Sequence, residues 1–150
     1  MYFLFINKCE RMEYSMPDYE HISVKELASY RIKRAREDLK TANELLKTGD
    51  LRAANNGAYY SIFHALRSVL ALVQYDSKKH SGIIAEFRRR YIKEGIFPKE
   101  MSDMIDDASI IRNASDYDDM FIASRKQTEL QVENAGKILK MVEEYLSLHI

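Results

Sequence analysis

The chain has 150 residues, 46% of them hydrophobic and 31% charged, which fits one soluble domain large enough to need no staples. A single cysteine, Cys9, excludes an internal disulfide framework and a cysteine-built zinc site, and a formal net charge of zero excludes nucleic-acid binding by bulk charge alone. No apolar run is long enough to span a bilayer and no signal-peptide pattern opens the chain, so a cytoplasmic setting away from membranes is expected.

Residues 1–22 do not share the pattern of the rest of the chain. They are expected to form a poorly ordered extension, with translation beginning at Met12 or Met16, ahead of a helical domain over 23–148. A first helix is predicted over 23–47. Its Ala28, Ile32, Ala35, Leu39, Ala42 and Leu46 recur by fours and threes, the spacing of one buried stripe. Ser23 with Glu26 reads as a capping box. Gly49 stops this helix and Asp50 caps the next, which makes the pair an antiparallel hairpin.

The second helix is predicted over 51–74, with Leu51, Ala54, Ala58, Ile62, Ala65, Val69 and Leu72 on one stripe. Tyr59, Phe63, Leu66 and Leu70 make another, so this helix belongs at the centre. Its small residues, Gly57 among them, trade helix propensity for close approach of a neighbour. The loop "YDSKKHSG" leads to a third helix over 81–93, ended by Gly95. Pro98 suits the first turn of a fourth, over 98–114, with Met101, Met104, Ile105, Ala108 and Ile111 inward. "NASDYDDM" breaks the pattern. A fifth helix is predicted over 122–148, with Val132, Ala135, Leu139, Val142 and Leu146 inward. No strand period appears, so the fold class is all-α, a five-helix up-and-down bundle.

Two features stand out against this background. Asn56, Tyr60, His64, Arg67 and Gln74 fall within an arc of roughly 80° on helix two. A polar stripe on a buried helix needs water, a bonded partner or a ligand, because an unpaired buried polar group costs about 1–3 kcal/mol. Arg112 projects from the core face of helix four, seven residues after Ile105. It cannot shed its charge there, and takes either a structural pair with Asp116, Asp118 or Asp119, or a phosphate in a cleft. The histidines His21, His64, His80 and His149 show no pair at metal-ligand spacing, so neither a metal nor a cofactor is expected. The basic runs "RIKRAR" and "FRRRYIK" read first as solvated faces and second as guides for RNA.

"AANNGAYYSIFHALRSVL", "KKHSGIIAEFRRRYIKEGIF" and "IRNASDYDD", in that order, resemble the HEPN family (higher eukaryotes and prokaryotes nucleotide-binding), in its small stand-alone prokaryotic branch. The likeness runs over about residues 25–146. It implies an up-and-down bundle that usually dimerises and often works beside a small nucleotidyltransferase as a toxin–antitoxin pair. Active toxins of the family are metal-independent endoribonucleases. Their motif is an arginine followed four to six residues later by a histidine, in the dimer cleft. The histidine serves as acid or base on the ribose 2′-OH and the arginine stabilises the phosphorane. The motif arginine matches Arg112 and its polar neighbour matches Asn113, but Asp116, Tyr117 and Asp118 stand where the histidine belongs.

The leading expectation is therefore a homodimer that binds a nucleotide or RNA phosphate through Arg112. Asn56, Tyr60, His64, Arg67, His80, Asp116 and Tyr117 line or support that site, and a nucleotidyltransferase is the partner. An active endoribonuclease toxin using Arg112 and His64 as its catalytic pair is the first alternative. A non-catalytic dimeric interaction module is the second.

Overall fold

In the computed structural model, which describes residues 22–150, the first helix opens on Ser23 as the sequence requires. The Glu26 N–H donates to Ser23 Oγ at 3.1 Å and the Ser23 N–H donates to Glu26 Oε2 at 2.9 Å. Helix α1, Val24–Thr48, ends at Gly49, whose φ of +87° is the left-handed conformation a side chain would strain. Asp50 accepts the Ala53 N–H at 3.3 Å and starts α2, Leu51–Ala71. The extension expected over 1–22 lies, Ile22 apart, outside the described residues.

The α1–α2 hairpin is built on small side chains. Ala28, Ala35 and Ala42 of α1 and Ala54, Ala58 and Ala65 of α2 are all fully buried. Ser61 Oγ reaches across to donate to the Ala35 carbonyl at 2.8 Å. A Cβ on Gly57 would stand 3.1 Å from Ala42 Cβ and 3.4 Å from the Asp38 carbonyl oxygen. The glycine's poor propensity is thus offset by the approach of α1, as its spacing predicts.

Helix α2 is central and packs against each of the other helices. It ends at Ala71, three residues short of its predicted end. The Gln74 N–H donates to Ala71 and the Tyr75 N–H to Leu70, both at 3.1 Å, and Gln74 takes φ of +55°. This tight reversal folds Asp76 back onto Arg31 and Arg67, so Gln74 leaves the polar stripe and sits exposed in a turn.

Helix α3, His80–Phe87, does not run regularly to residue 93. Arg88–Ile92 form a wider π turn, closed by the Lys93 N–H on the Arg88 carbonyl at 2.8 Å. Tyr91 is thereby buried against Phe87, Phe97 and Tyr145, with ring centroids 5.3–6.1 Å apart. Helix α4, Lys99–Tyr117, outlasts its predicted end at 114. Tertiary partners hold its last turn: buried Ser115 accepts Arg52 Nε at 3.0 Å, and Asp116 faces Arg112. Helix α5, Arg125–His149, starts later than residue 122 because Ser124 Oγ accepts the Gln127 N–H at 3.1 Å and caps it there. Val132, Ala135, Leu139, Val142 and Leu146 are buried as predicted. Among the described residues there are five helices and no strand, and no helix is long and apolar enough to cross a membrane.

Candidate functional site

Arg112 reaches from α4 to the tyrosine pair of α2. Its guanidinium carbon lies 4.9 Å from the centroid of Tyr59 and 5.5 Å from that of Tyr60. Both rings present their π faces to the cation, an attraction that strengthens as water is excluded. One Nη donates to the Tyr60 hydroxyl at 3.3 Å. Nε lies 3.3 Å from Asp116 Oδ2, one turn further along α4, but is not aligned with it as a hydrogen bond. Of the two readings of Arg112, the structure contains the ion pair. The side chain nevertheless stays 21% exposed and, among the described residues, most of its five donors are unspent.

His80, the first residue of α3, is brought to the same place. Its ring stacks on Phe63 with centroids 4.0 Å apart and meets Tyr60 edge-on at 6.0 Å. Nδ1 is 2.9 Å from the Tyr59 hydroxyl, so the hydrogen bond fixes the imidazole whichever of the two carries the bridging proton. Burial, then the charges of Arg112 and Arg67, hold the His80 pKa below the usual histidine value. Burial likewise raises Tyr59 above an ordinary phenol, against the pull of Arg112. His80, Phe63 and Arg67 border an open hollow of about 740 Å³, together with Asp76, Ser77 and Lys78.

His64 does not join Arg112. It turns toward α1, where Nε2 lies 3.6 Å from Asp38 Oδ2, and its ring stacks only distantly on Tyr60, at 6.3 Å. Burial first, then Arg34, Arg67 and Arg31, depress its pKa to about 4, so the imidazole is neutral at neutral pH. Arg67 lies one turn beyond Phe63 and is tied to Asp76 at 2.9 Å. Asn56 precedes Tyr60 by one turn, with a buried Oδ1 that lacks a hydrogen-bond partner among the described residues. Tyr117 is 81% exposed at the end of α4 and takes no part in the aromatic cluster.

The sequence profile of the HEPN domain matches residues 28–145. The chain belongs to the HEPN family. A UPF0332 protein of Thermotoga maritima is 30% identical over 120 residues, which cover 80% of this chain and 86% of that protein. The Methanocaldococcus jannaschii protein named "Putative toxin MJ0142" is 25% identical over 115 residues, 77% of this chain and 78% of that one. The crystal structure of TT1696 from Thermus thermophilus shares the fold, with a TM-score of 0.66 at 22% identity over 78% of this chain and 96% of that chain.

In this HEPN chain, four residues singled out from the sequence, Arg112, Tyr60, Asp116 and His80, come to one place. Sequence reasoning missed Tyr59 and Phe63, whose positions on an apolar stripe concealed that their rings also carry the site. It missed Arg31 as well, read as part of a solvated run but only 8% exposed. The available signal was its position three residues after Ala28 and one before Ile32, at the edge of the buried stripe.

Proposed function

We propose that this HEPN protein binds the phosphate of a nucleotide or of RNA in the cleft of Arg112, Tyr60 and His80, as one half of a toxin–antitoxin-like pair whose partner is a nucleotidyltransferase. One observation carries this reading. Arg112 is held over two tyrosine faces, partly exposed and, among the described residues, with a single side-chain hydrogen bond, and the His80 ring that meets Tyr60 edge-on borders an open hollow. A guanidinium so placed offers a planar fork of donors to a phosphate. The toxin name carried by a relative supports the pairing. Titrating AMP and a short RNA into the protein tests it: Arg112→Ala is expected to weaken binding at least tenfold and Arg112→Lys less. Unchanged affinity in Arg112→Ala would sink the reading.

The endoribonuclease reading is the second, and one contact favours a form of it. The imidazole near Arg112 is that of His80, held by Tyr59, whereas His64 faces Asp38. In that form His80 takes the proton of a ribose 2′-OH, the 2′-oxygen attacks phosphorus, and the 5′-oxygen leaves with a proton from water while Arg112 stabilises the charge. Metal-free RNA cleavage that vanishes in His80→Gln and survives in His64→Gln is the expected result. Cleavage lost in His64→Gln alone would return the role to His64.

A further inference from the structure

Arg67 stands between two hollows. One is the larger opening beside His80. The other, about 170 Å³, lies across α1 and α2 and is lined by Leu27, Tyr30, Arg31, Arg34, His64 and Arg67. Arg31 donates through Nη1 to the Arg67 carbonyl and through Nη2 to Asp76 Oδ2, both at 3.1 Å. Arg67 Nη2 donates to that same Asp76 oxygen at 2.9 Å, and its Nε is buried with no partner among the described residues. Two guanidiniums thus share one carboxylate oxygen. Arg34 is exposed and, among the described residues, has no carboxylate within ion-pair distance.

Positive charge adds to burial inside the hollow. His64 has a carboxylate 3.6 Å away, yet burial and the three arginines still hold its pKa near 4. At the rim, the Tyr30 ring is 61% exposed. On the other side of Arg67, the stacked rings of Phe63 and His80 line the larger opening.

We infer that the hollow of Arg31, Arg34 and Arg67 is a second phosphate subsite, so that the ligand is a single strand of nucleic acid running from Arg112 past Arg67 to Arg34. This rests on the reading that Arg112 binds a phosphate. Tyr60, which touches Arg112, and Arg67 are seven residues apart on α2, about 10 Å along its axis. The lone phosphate of a mononucleotide held at Arg112 does not extend to Arg34. Cations interleaved with aromatic faces suit a strand whose backbone follows the charge while its bases stack. Among the described residues, Asp76 is the carboxylate paired to Arg31 and Arg67, and Asp38, 3.6 Å from His64, stands in the field of Arg34.

The test compares AMP, inorganic tripolyphosphate and an eight-nucleotide oligoadenylate on the full chain, with Arg34→Ala, Arg34→Lys and Arg112→Ala. Arg34 is exposed, so its replacement leaves the core intact. Arg34→Ala is expected to weaken the octanucleotide at least fivefold, and to lower the slope of log affinity against log salt by about 0.7, the share of one phosphate contact on a single strand. Arg34→Lys is expected to keep that slope, and AMP affinity to be the same in both variants. An octanucleotide affinity unmoved in Arg34→Ala but lost in Arg112→Ala would overturn the second subsite and leave the first. Tripolyphosphate binding as tightly as the octanucleotide would overturn the strand. No binding of any probe to the unaltered protein would remove both.

Discussion

His64 and His80 are both tied to the aromatic ridge of α2, but what stands behind each ring gives them different chemistry. His64 is buried against α1 in a positive field, which lowers its pKa from 6.5 to about 4. The unfolded chain therefore binds a proton between those values that the folded chain refuses. Stability from this residue is complete above pH 6.5 and declines as pH falls through the window toward 4, by at most about 3 kcal/mol. Asp38 works in the opposite sense, since burial raises its pKa and lets the folded protein take up a proton early. The clean measurement is a difference. Urea unfolding of the unaltered protein and of His64→Gln, at pH 7 and pH 4.5, is expected to show the smaller acid loss in the variant. Equal losses would mean that the imidazole carries no such penalty.

At the scale of the elements, the α1–α2 hairpin depends on an absence of side-chain bulk. Gly57→Leu would drive a branched side chain into Ala42 and the α1 backbone, and is expected to cost roughly 1–3 kcal/mol from overpacking. That exceeds the ~1 kcal/mol of helix propensity gained on leaving glycine. Gly57→Ala sets the same gain against a single 3.1 Å contact and should fall near neutral. Chemical denaturation of both variants checks the order, and a Gly57→Leu protein as stable as the parent would contradict it. The helices whose ends depend on local chemistry were legible in the sequence: Ser23 with Glu26, Gly49 and Asp50 set boundaries that need no distant partner. Two of the ends that moved were set from afar, whereas the start of α5 moved to a local cap, Ser124, that the sequence reading passed over. Asp76 pulls α2 short by pairing with Arg31 from another helix, and Ser115 prolongs α4 by holding Arg52. The site followed the same division. Arg112 and Tyr60 were visible as polar groups on buried faces, whereas the nearness of His80 to the Tyr59 hydroxyl depended on where a loop returns the chain.

For the molecule as a whole, the question is what covers α4. Ile110, 65% exposed, and Tyr117 lie seven residues apart on one face, and Met120 and Ile122 continue the exposed apolar surface beyond the helix. We propose that this face meets a second copy of the chain, the homodimer that the family resemblance implies. Sedimentation of the unaltered protein is expected to give a dimer, and Ile110→Asp to shift it toward monomer. A monomeric parent protein at micromolar concentration would remove the interface.

Asp76 gives the second-subsite assignment a kinetic consequence. Although burial alone would raise its pKa, the hydrogen bonds from Arg67 and the Ser77 N–H, with the charges of Arg67 and Arg31, keep the carboxylate below its ordinary range. It is an anion already seated among cations that a phosphate would seek. A strand arriving there does not fill a vacancy; it displaces a resident competitor tethered to the same chain and therefore present at high local concentration. Each departure is helped by the carboxylate falling back into place. On that assignment the surface is expected to exchange its ligand quickly, and tight retention would have to come from a second molecule closing over the strand.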